Sequence, residues 1–197
     1  MTRDFRLIAM LVLAAATLAG CASSPTPRFY VLNAPEQPAA AAVYSVAVGP
    51  VTVPEIVDRP QLVLRTGANE VTILEQTRWA DSLQREIPRV IAANLAQALG
   101  DARVSAYPQG IGSEPDYRVA VDIQRFDSAP GDAATVEALW RVSPGDGKSG
   151  AVRSGRSRVR EPTKGMEYDA LVAAHSRALA SISRDIAEAI RAARAAQ

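Results

Sequence analysis

The sequence predicts an α+β fold, a mainly antiparallel sheet with two helices packed on one face, and three observations carry the prediction. Residues 82–99 and 168–190 repeat apolar side chains at three- and four-residue steps, the period of a helix that buries one face. Several short segments alternate apolar and polar residues or are rich in β-branched and aromatic types, as half-buried strands are. Brief breaks containing Gly or Pro join many of these segments, so sequence neighbours are expected to pair as hairpins.

The first 20 residues stand apart from that fold. Arg3 and Arg6 supply positive charge, and residues 7–18 form an apolar core of 12 residues. A helix of that length spans about 18 Å, well short of the roughly 30 Å hydrocarbon core of a bilayer, so the segment reads as a secretion signal and not a membrane span. It closes on Leu18-Ala19-Gly20-Cys21, the substrate pattern of bacterial lipoprotein processing, in which diacylglycerol is placed on the sulfur and the chain is cleaved before the cysteine. Cys21, the sole cysteine, is therefore the expected lipidation site and first mature residue. No thiol is then left for a disulfide. Removing residues 1–20 takes Arg3, Arg6 and Asp4 from 22 basic and 21 acidic groups, leaving 20 of each. A neutral domain does not advertise electrostatic capture of nucleic acid or of an anionic bilayer. The remaining chain suits one domain.

Residues 22–27, Ala-Ser-Ser-Pro-Thr-Pro, read as an extended linker; six residues at about 3.3 Å each reach about 20 Å, which keeps the folded body near its membrane. Residues 28–32 have the composition of a strand, and residues 34–42, with Pro35 and Pro38, that of a loop. Residues 43–48 alternate as a strand that Gly49-Pro50 ends, and Pro54 and Pro60 bound the loop that follows. Residues 62–65 and 71–75 flank Thr66-Gly67-Ala68-Asn69 as a hairpin. In the first helix Leu83, Ile87, Val90, Ile91, Leu95 and Ala98 share a face, with Asp81 or Ser82 as N-cap and Gly100 beyond the end. Pro88 inside it costs about 3 kcal/mol, which predicts a kink or a helix in two pieces.

Residues 102–107 form a weak strand. Residues 117–126 form a strong one, with Tyr117, Val119, Val121 and Ile123 on one face and Arg118, Asp122 and Gln124 on the other. With residues 135–142 and 150–161, turned by Pro144-Gly145-Asp146-Gly147, it makes a meander. The terminal helix carries Tyr168, Leu171, Val172, His175, Leu179, Ile182, Ile186 and Ile190 on its apolar stripe, with Asp185 and Glu188 alternating with Arg184 and Arg191 outside. The second sheet face is either a surface for a partner or, if mixed polar residues cover it, simply solvated.

Groups for chemistry are few. His175 is the sole histidine and lies on the apolar stripe, where a packed ring bonded to a neighbour is the expectation. The counts leave no histidine or cysteine metal site, and there is no calcium loop, phosphate loop or nucleophile elbow. Asp122 and Asp127 pair on paper as acid and base but are better read as strand-end residues. No catalysis, cofactor or metal is expected. Arg156, Arg158 and Arg160 share a strand face; that stripe suits lipid headgroups or an acidic partner, or else protects an edge strand from aggregation.

The most informative cluster runs from Pro54 through Asp58, Arg59 and Pro60 to Arg65, followed by Arg78-Trp79-Ala80. Prolines lower the entropy of such a loop before anything binds, which suits recognition. The other reading is a structural corner in which Asp58 caps a turn, Arg59 packs its stem and Trp79 fills the core.

These residues, with the lipobox, Arg28-Phe29-Tyr30-Val31-Leu32, Tyr117-Arg118-Val119, Phe126, Ala138-Leu139-Trp140 and Ala173-Ala174-His175-Ser176, resemble the PqiC family of membrane-integrity-associated, ABC-type transport auxiliary lipoproteins. The resemblance implies a transport auxiliary domain over residues 28–194, lipid-anchored at the periplasmic face of a Gram-negative outer membrane. It also implies two partners: an MCE-domain protein that spans the periplasm and a multi-spanning inner-membrane protein, in a system that moves lipids or other hydrophobic molecules. Ala22 stands where aspartate would be the usual inner-membrane retention signal. A homo-oligomer is compatible with an annular partner. In this reading Pro54, Asp58, Arg59, Pro60, Arg65 and Trp79 line the contact with the MCE protein. The rivals are a carrier enclosing an acyl chain between sheet and helices, and a cell-wall hydrolase.

Overall fold

The computed structural model describes residues 26–36, 42–106 and 114–196. The expected signal and Cys21 lie outside the described residues, as do most of the expected linker, Pro38 and the last residue of the strand predicted at 102–107.

The described chain is an α+β fold in which two sheets share one pair of helices. Its strands are β1 (Arg28–Tyr30), β2 (Tyr44–Thr52), β3 (Gln61–Arg65), β4 (Val71–Trp79), β5 (Ala102–Ala106), β6 (Tyr117–Ala129), β7 (Ala133–Pro144) and β8 (Arg153–Pro162); its helices are α1 (Leu83–Leu99) and α2 (Tyr168–Arg194). A five-stranded sheet is ordered β5-β2-β6-β7-β8, and a three-stranded sheet β1-β4-β3. The β3-β4 hairpin and the β6-β7-β8 meander are antiparallel as their short turns require. The remaining pairs, β1 with β4 and β2 with both β5 and β6, are parallel. Parallel neighbours need crossovers, and here α1 lies between β4 and β5 in the chain and packs against β2, β5 and α2. Local alternation marks a strand but does not choose its distant partner, so the division into two mixed sheets has no local signature.

Several boundaries move for physical reasons. Gly49-Pro50 does not end β2; it forms a bulge, the register with β6 jumping from Val48 to Val51, and proline fits there because a bulge needs no ladder N–H. Arg78 and Trp79 belong to the end of β4, paired with Phe29 and Tyr30 of β1. Helix α1 runs through Pro88 as one 17-residue helix and does not divide. The lost bond would have gone to the carbonyl of Gln84, an exposed residue one turn earlier, while Leu83, Ile87, Pro88 and Ile91 are all buried and hold the helix from its packed side. Ser82 is the N-cap and its N–H donates to Oδ1 of Asp81 at 2.8 Å; at the other end Gly100, at φ 72°, donates its N–H to the Ala96 carbonyl at 3.0 Å.

Both helices cover the same face of the five-stranded sheet. Ile87, Ile91 and Leu95 from α1 meet Val46, Val48, Val119 and Val121 from the sheet and Leu179, Ile182, Ile186 and Ile190 from α2 in one continuous core. Full burial of each such side chain contributes about 1.5–3 kcal/mol, which is what orders the 27-residue terminal helix. The Trp140 ring lies against Gly155, its cross-strand partner, and its Nε1–H donates to Ser157 Oγ at 3.0 Å. A Cβ at position 155 would come within 2.3 Å of that ring. Gly155→Ala is therefore expected to displace Trp140 and cost about 1–3 kcal/mol, measurable as a lower urea midpoint.

The other face of the five-stranded sheet is mixed and polar. Arg156 and Arg158 meet Glu137, the latter at 3.9 Å, and Arg160 meets Asp132. The arginine stripe thus stands on the outer face of β8, an edge strand, with its charges partly paired by acids on β7 and the β6-β7 turn.

Candidate partner-docking loop

The loop between β2 and β3 is built by proline at both ends and a short 3-10 turn between. Pro54 precedes the turn at Glu55–Val57, and its carbonyl accepts N–H bonds from Val57 at 3.0 Å and Asp58 at 3.2 Å. Val57 is buried and pins the turn to β3, which leaves Glu55, Ile56, Asp58 and Pro60 exposed. The Arg59 N–H donates to the Val57 carbonyl at 2.9 Å. Two contacts fix the far side: Gln84 Nε2, in the first turn of α1, donates to Asp58 Oδ2 at 2.7 Å, and the Trp79 N–H donates to the Pro60 carbonyl at 2.7 Å. Arg59 is half-buried, and its Nε is enclosed without a hydrogen-bond partner.

Pro54, Asp58, Arg59 and Pro60 therefore share one ordered corner; Trp79 touches it through its backbone N–H while its ring turns into the core, and Arg65 lies apart from it. Arg65 ends β3 five residues beyond Pro60, about 17 Å along a strand. Its guanidinium forks onto Asp127 at 2.8 and 3.1 Å and reaches the Ala68 carbonyl at 3.2 Å, so it bolts the three-stranded sheet to the five-stranded one. Burial pushes the Asp127 carboxyl up, but Arg65 and Arg125 outweigh it and hold the group below its ordinary range. Trp79 is only 5% exposed and offers a partner no face. Its ring meets Phe126 edge-on at 6.1 Å and His175 at 6.4 Å. Both side chains are structural, because the ends of β3 and β4 are where the two sheets meet.

His175 closes the same joint. It is fully buried, stacks on Phe126 with ring centroids 3.9 Å apart, and shares a 2.8 Å hydrogen bond between Nε2 and Ser128 Oγ. Burial lowers its pKa to about 3, although the Asp127 charge pulls the other way. The ring is neutral and sealed from any external substrate. The unfolded chain protonates near pH 6.5 and the folded one near 3, so between these values the unfolded state binds the extra proton and stability falls as pH falls. Wild type should lose about 2–3 kcal/mol between pH 7 and 4.5 from this group, and His175→Gln should lose that slope, read from urea midpoints at the two pH values.

Asp122 and Asp127, the paired acids of the sequence, are occupied by strand-face neighbours: Asp122 by Thr52 and by Gln124 at 2.6 Å, Asp127 by its two arginines. Asp81, beside the loop, is held down to about 2 by Arg85, then by the Ser82 N–H. Sequence reasoning missed Glu86, which is buried on α1 and accepts the Leu32 N–H at 3.2 Å; burial raises its carboxyl. Its place on the apolar side, three residues after Leu83, was the available signal. An open groove of about 480 Å³ between the helices is rimmed by Arg177, Arg184, Glu161 and Asn94. Among the described residues no group of three or more His, Cys, Asp or Glu is placed to hold a metal, and no helix is long and apolar enough to cross a membrane.

The loop is thus a hydrogen-bonded, partly exposed corner on an α+β body. The family model for the ABC-type transport auxiliary lipoprotein component matches residues 30–187, and the chain belongs to that family. It is thus a transport-associated lipoprotein of the cell envelope. Among solved structures, the crystal structure of an uncharacterized protein superposes with a TM-score of 0.70 at 20% identity, covering 84% of this chain and 99% of that one. Protein XCC0632 from Xanthomonas campestris, of the DUF330 family, does so with a TM-score of 0.61 at 20% identity, covering 80% and 91%. Both likenesses concern the fold. No curated protein matches the sequence.

Proposed function

We propose that this chain is a PqiC-like lipoprotein that holds the distal end of an MCE-linked lipid conduit at the outer membrane, anchored through Cys21 and docking its partner with the loop of residues 54–60. The observation that carries the reading is the ordered corner of Pro54, Asp58, Arg59 and Pro60 on a body that belongs to a transport lipoprotein family. Cys21 is the one residue able to take the thioether lipid, because the chain has no other cysteine. Ala22 favours the outer membrane, and the short linker keeps the domain at its own bilayer, so the partner must cross the periplasm.

The rival readings find less support. The space between sheet and helices, where an acyl chain would lie, is filled by side chains such as Ile91, Leu179, Ile182 and Ile186 with no exposed surface. The open groove between the helices has a charged rim, unlike a chain-binding slot. A histidine-dependent hydrolase would need the sole histidine exposed, and it is sealed; a carboxylate pair would need free acids, and Asp122 and Asp127 are both bonded to neighbours. Affinity purification of the lipidated protein from detergent-solubilised envelopes of the native host should co-elute an MCE-domain protein and a multi-spanning inner-membrane protein. Elution of the lipoprotein without them, after mild chemical cross-linking, would overturn the reading.

A further inference from the structure

Strand β1 and the residues just past its end carry apolar side chains on the side that faces away from the protein. Alternation sends Tyr30 and Leu32 inward, where Tyr30 meets the Tyr168 ring edge-on at 6.5 Å and Leu32 is buried. Phe29 and Val31 point the other way and are 63% and 59% exposed. Among the described residues β1 is an edge strand paired with β4 alone, and the cross-strand partner of Phe29 is Arg78, which is half-exposed. An aromatic ring on the edge strand, a branched aliphatic side chain just past its end and a guanidinium on neighbouring β4 together supply the apolar and cationic groups that a membrane interface takes up.

The place of this edge in the chain says which surface covers it. Phe29 follows Cys21 by eight residues, a contour of at most about 28 Å, so residues 29 and 31 stay within reach of the bilayer that holds the lipid. We propose that Phe29 and Val31, with Arg78 beside them, seat β1 on the phospholipid surface around the Cys21 anchor and so fix the orientation of the docking loop. This rests on the reading that Cys21 is lipidated. A thioether lipid alone is a swivel. A second contact eight residues on removes the rotation, so that the corner of residues 54–60 is presented at one angle to whatever arrives from the periplasm.

The test uses the full lipidated chain with Phe29→Trp, reconstituted in phosphatidylethanolamine–phosphatidylglycerol vesicles, with the emission of wild type subtracted to remove Trp79 and Trp140. The added emission should shift to shorter wavelength and lose more than half its intensity when the vesicle lipids carry brominated acyl chains. Val31→Trp should behave alike, and it serves if the first variant loses its circular dichroism. Protein that fails to float with the vesicles overturns the lipid anchor, and the seat with it. Protein that floats while the new tryptophan stays unquenched overturns the seat alone. A shift to shorter wavelength without bromine quenching means that protein covers this edge, either a second copy or a partner, and it too overturns the proposal.

Discussion

Trp79→Ala is expected to lower the unfolding free energy by about 3–5 kcal/mol, the range for truncating a buried aromatic ring in a packed core. The cost should fall at the high end because of where the ring sits. Trp79 ends β4 in the three-stranded sheet but packs on Phe126 of the five-stranded sheet and on His175 of α2, so three elements lose contact at once. The cavity would also open beside a neutral imidazole whose Nδ1 is enclosed without a hydrogen-bond partner, and water would enter at the joint. Trp79→Phe should recover much of the loss. A urea titration followed by circular dichroism reads both variants. A midpoint unchanged in Trp79→Ala, with partner recovery lost, would return this residue to the contact surface.

The second large effect is on binding. If the proposed docking holds, Asp58→Ala and Arg59→Ala together are expected to reduce recovery of the proposed MCE partner by at least about tenfold, since a central interface arginine commonly contributes 2 kcal/mol or more. Stability should change little. Asp58 gives up one exposed hydrogen bond to Gln84, and the backbone of the turn is held by the carbonyl of Pro54 and the buried Val57, which the substitutions leave in place. Arg59→Lys separates charge from geometry: it keeps the cation but not the planar fork, so intermediate recovery points to a bidentate acid on the partner. Full recovery with the double alanine variant, at an unchanged midpoint, would remove this corner from the docking surface.

Short-range features of the chain were legible because short-range physics makes them. The stripe of Leu83, Ile87, Ile91 and Leu95, the glycine that ends α1 and the β6-β7-β8 meander each follow from neighbours within a few residues. The pairing of β1 with β4 and of β2 with β5 and β6 depends on how α1 folds back, which local alternation does not record. Pro88 misled because a mean propensity cost omits the packing of Leu83, Ile87 and Ile91 around it. At the site, prolines mark the ends of the loop, and the structure places a hydrogen-bonded 3-10 turn between them. What they did not announce was the division of labour within the cluster: Asp127 lies 62 residues from Arg65, and Phe126 and His175 lie 47 and 96 residues from Trp79, so the partners that make these side chains structural are distant in the chain. Phe29 and Val31 show the converse. The strand predicted over residues 28–32 is present over Arg28–Tyr30, with Val31 just past its end, but only the inward turn of Tyr30 and Leu32 reveals that the other side is bare.

The proposed docking, the proposed orientation and the reach of the linker all depend on Cys21 bearing lipid. Mass spectrometry of the N-terminal peptide, taken from membranes of the native host, measures this directly. The mature chain should begin at Cys21 and carry the added mass of a diacylglyceryl group. A peptide that retains residues 1–20 and a free thiol would contradict the anchor, and with it the placement of the docking loop at a membrane.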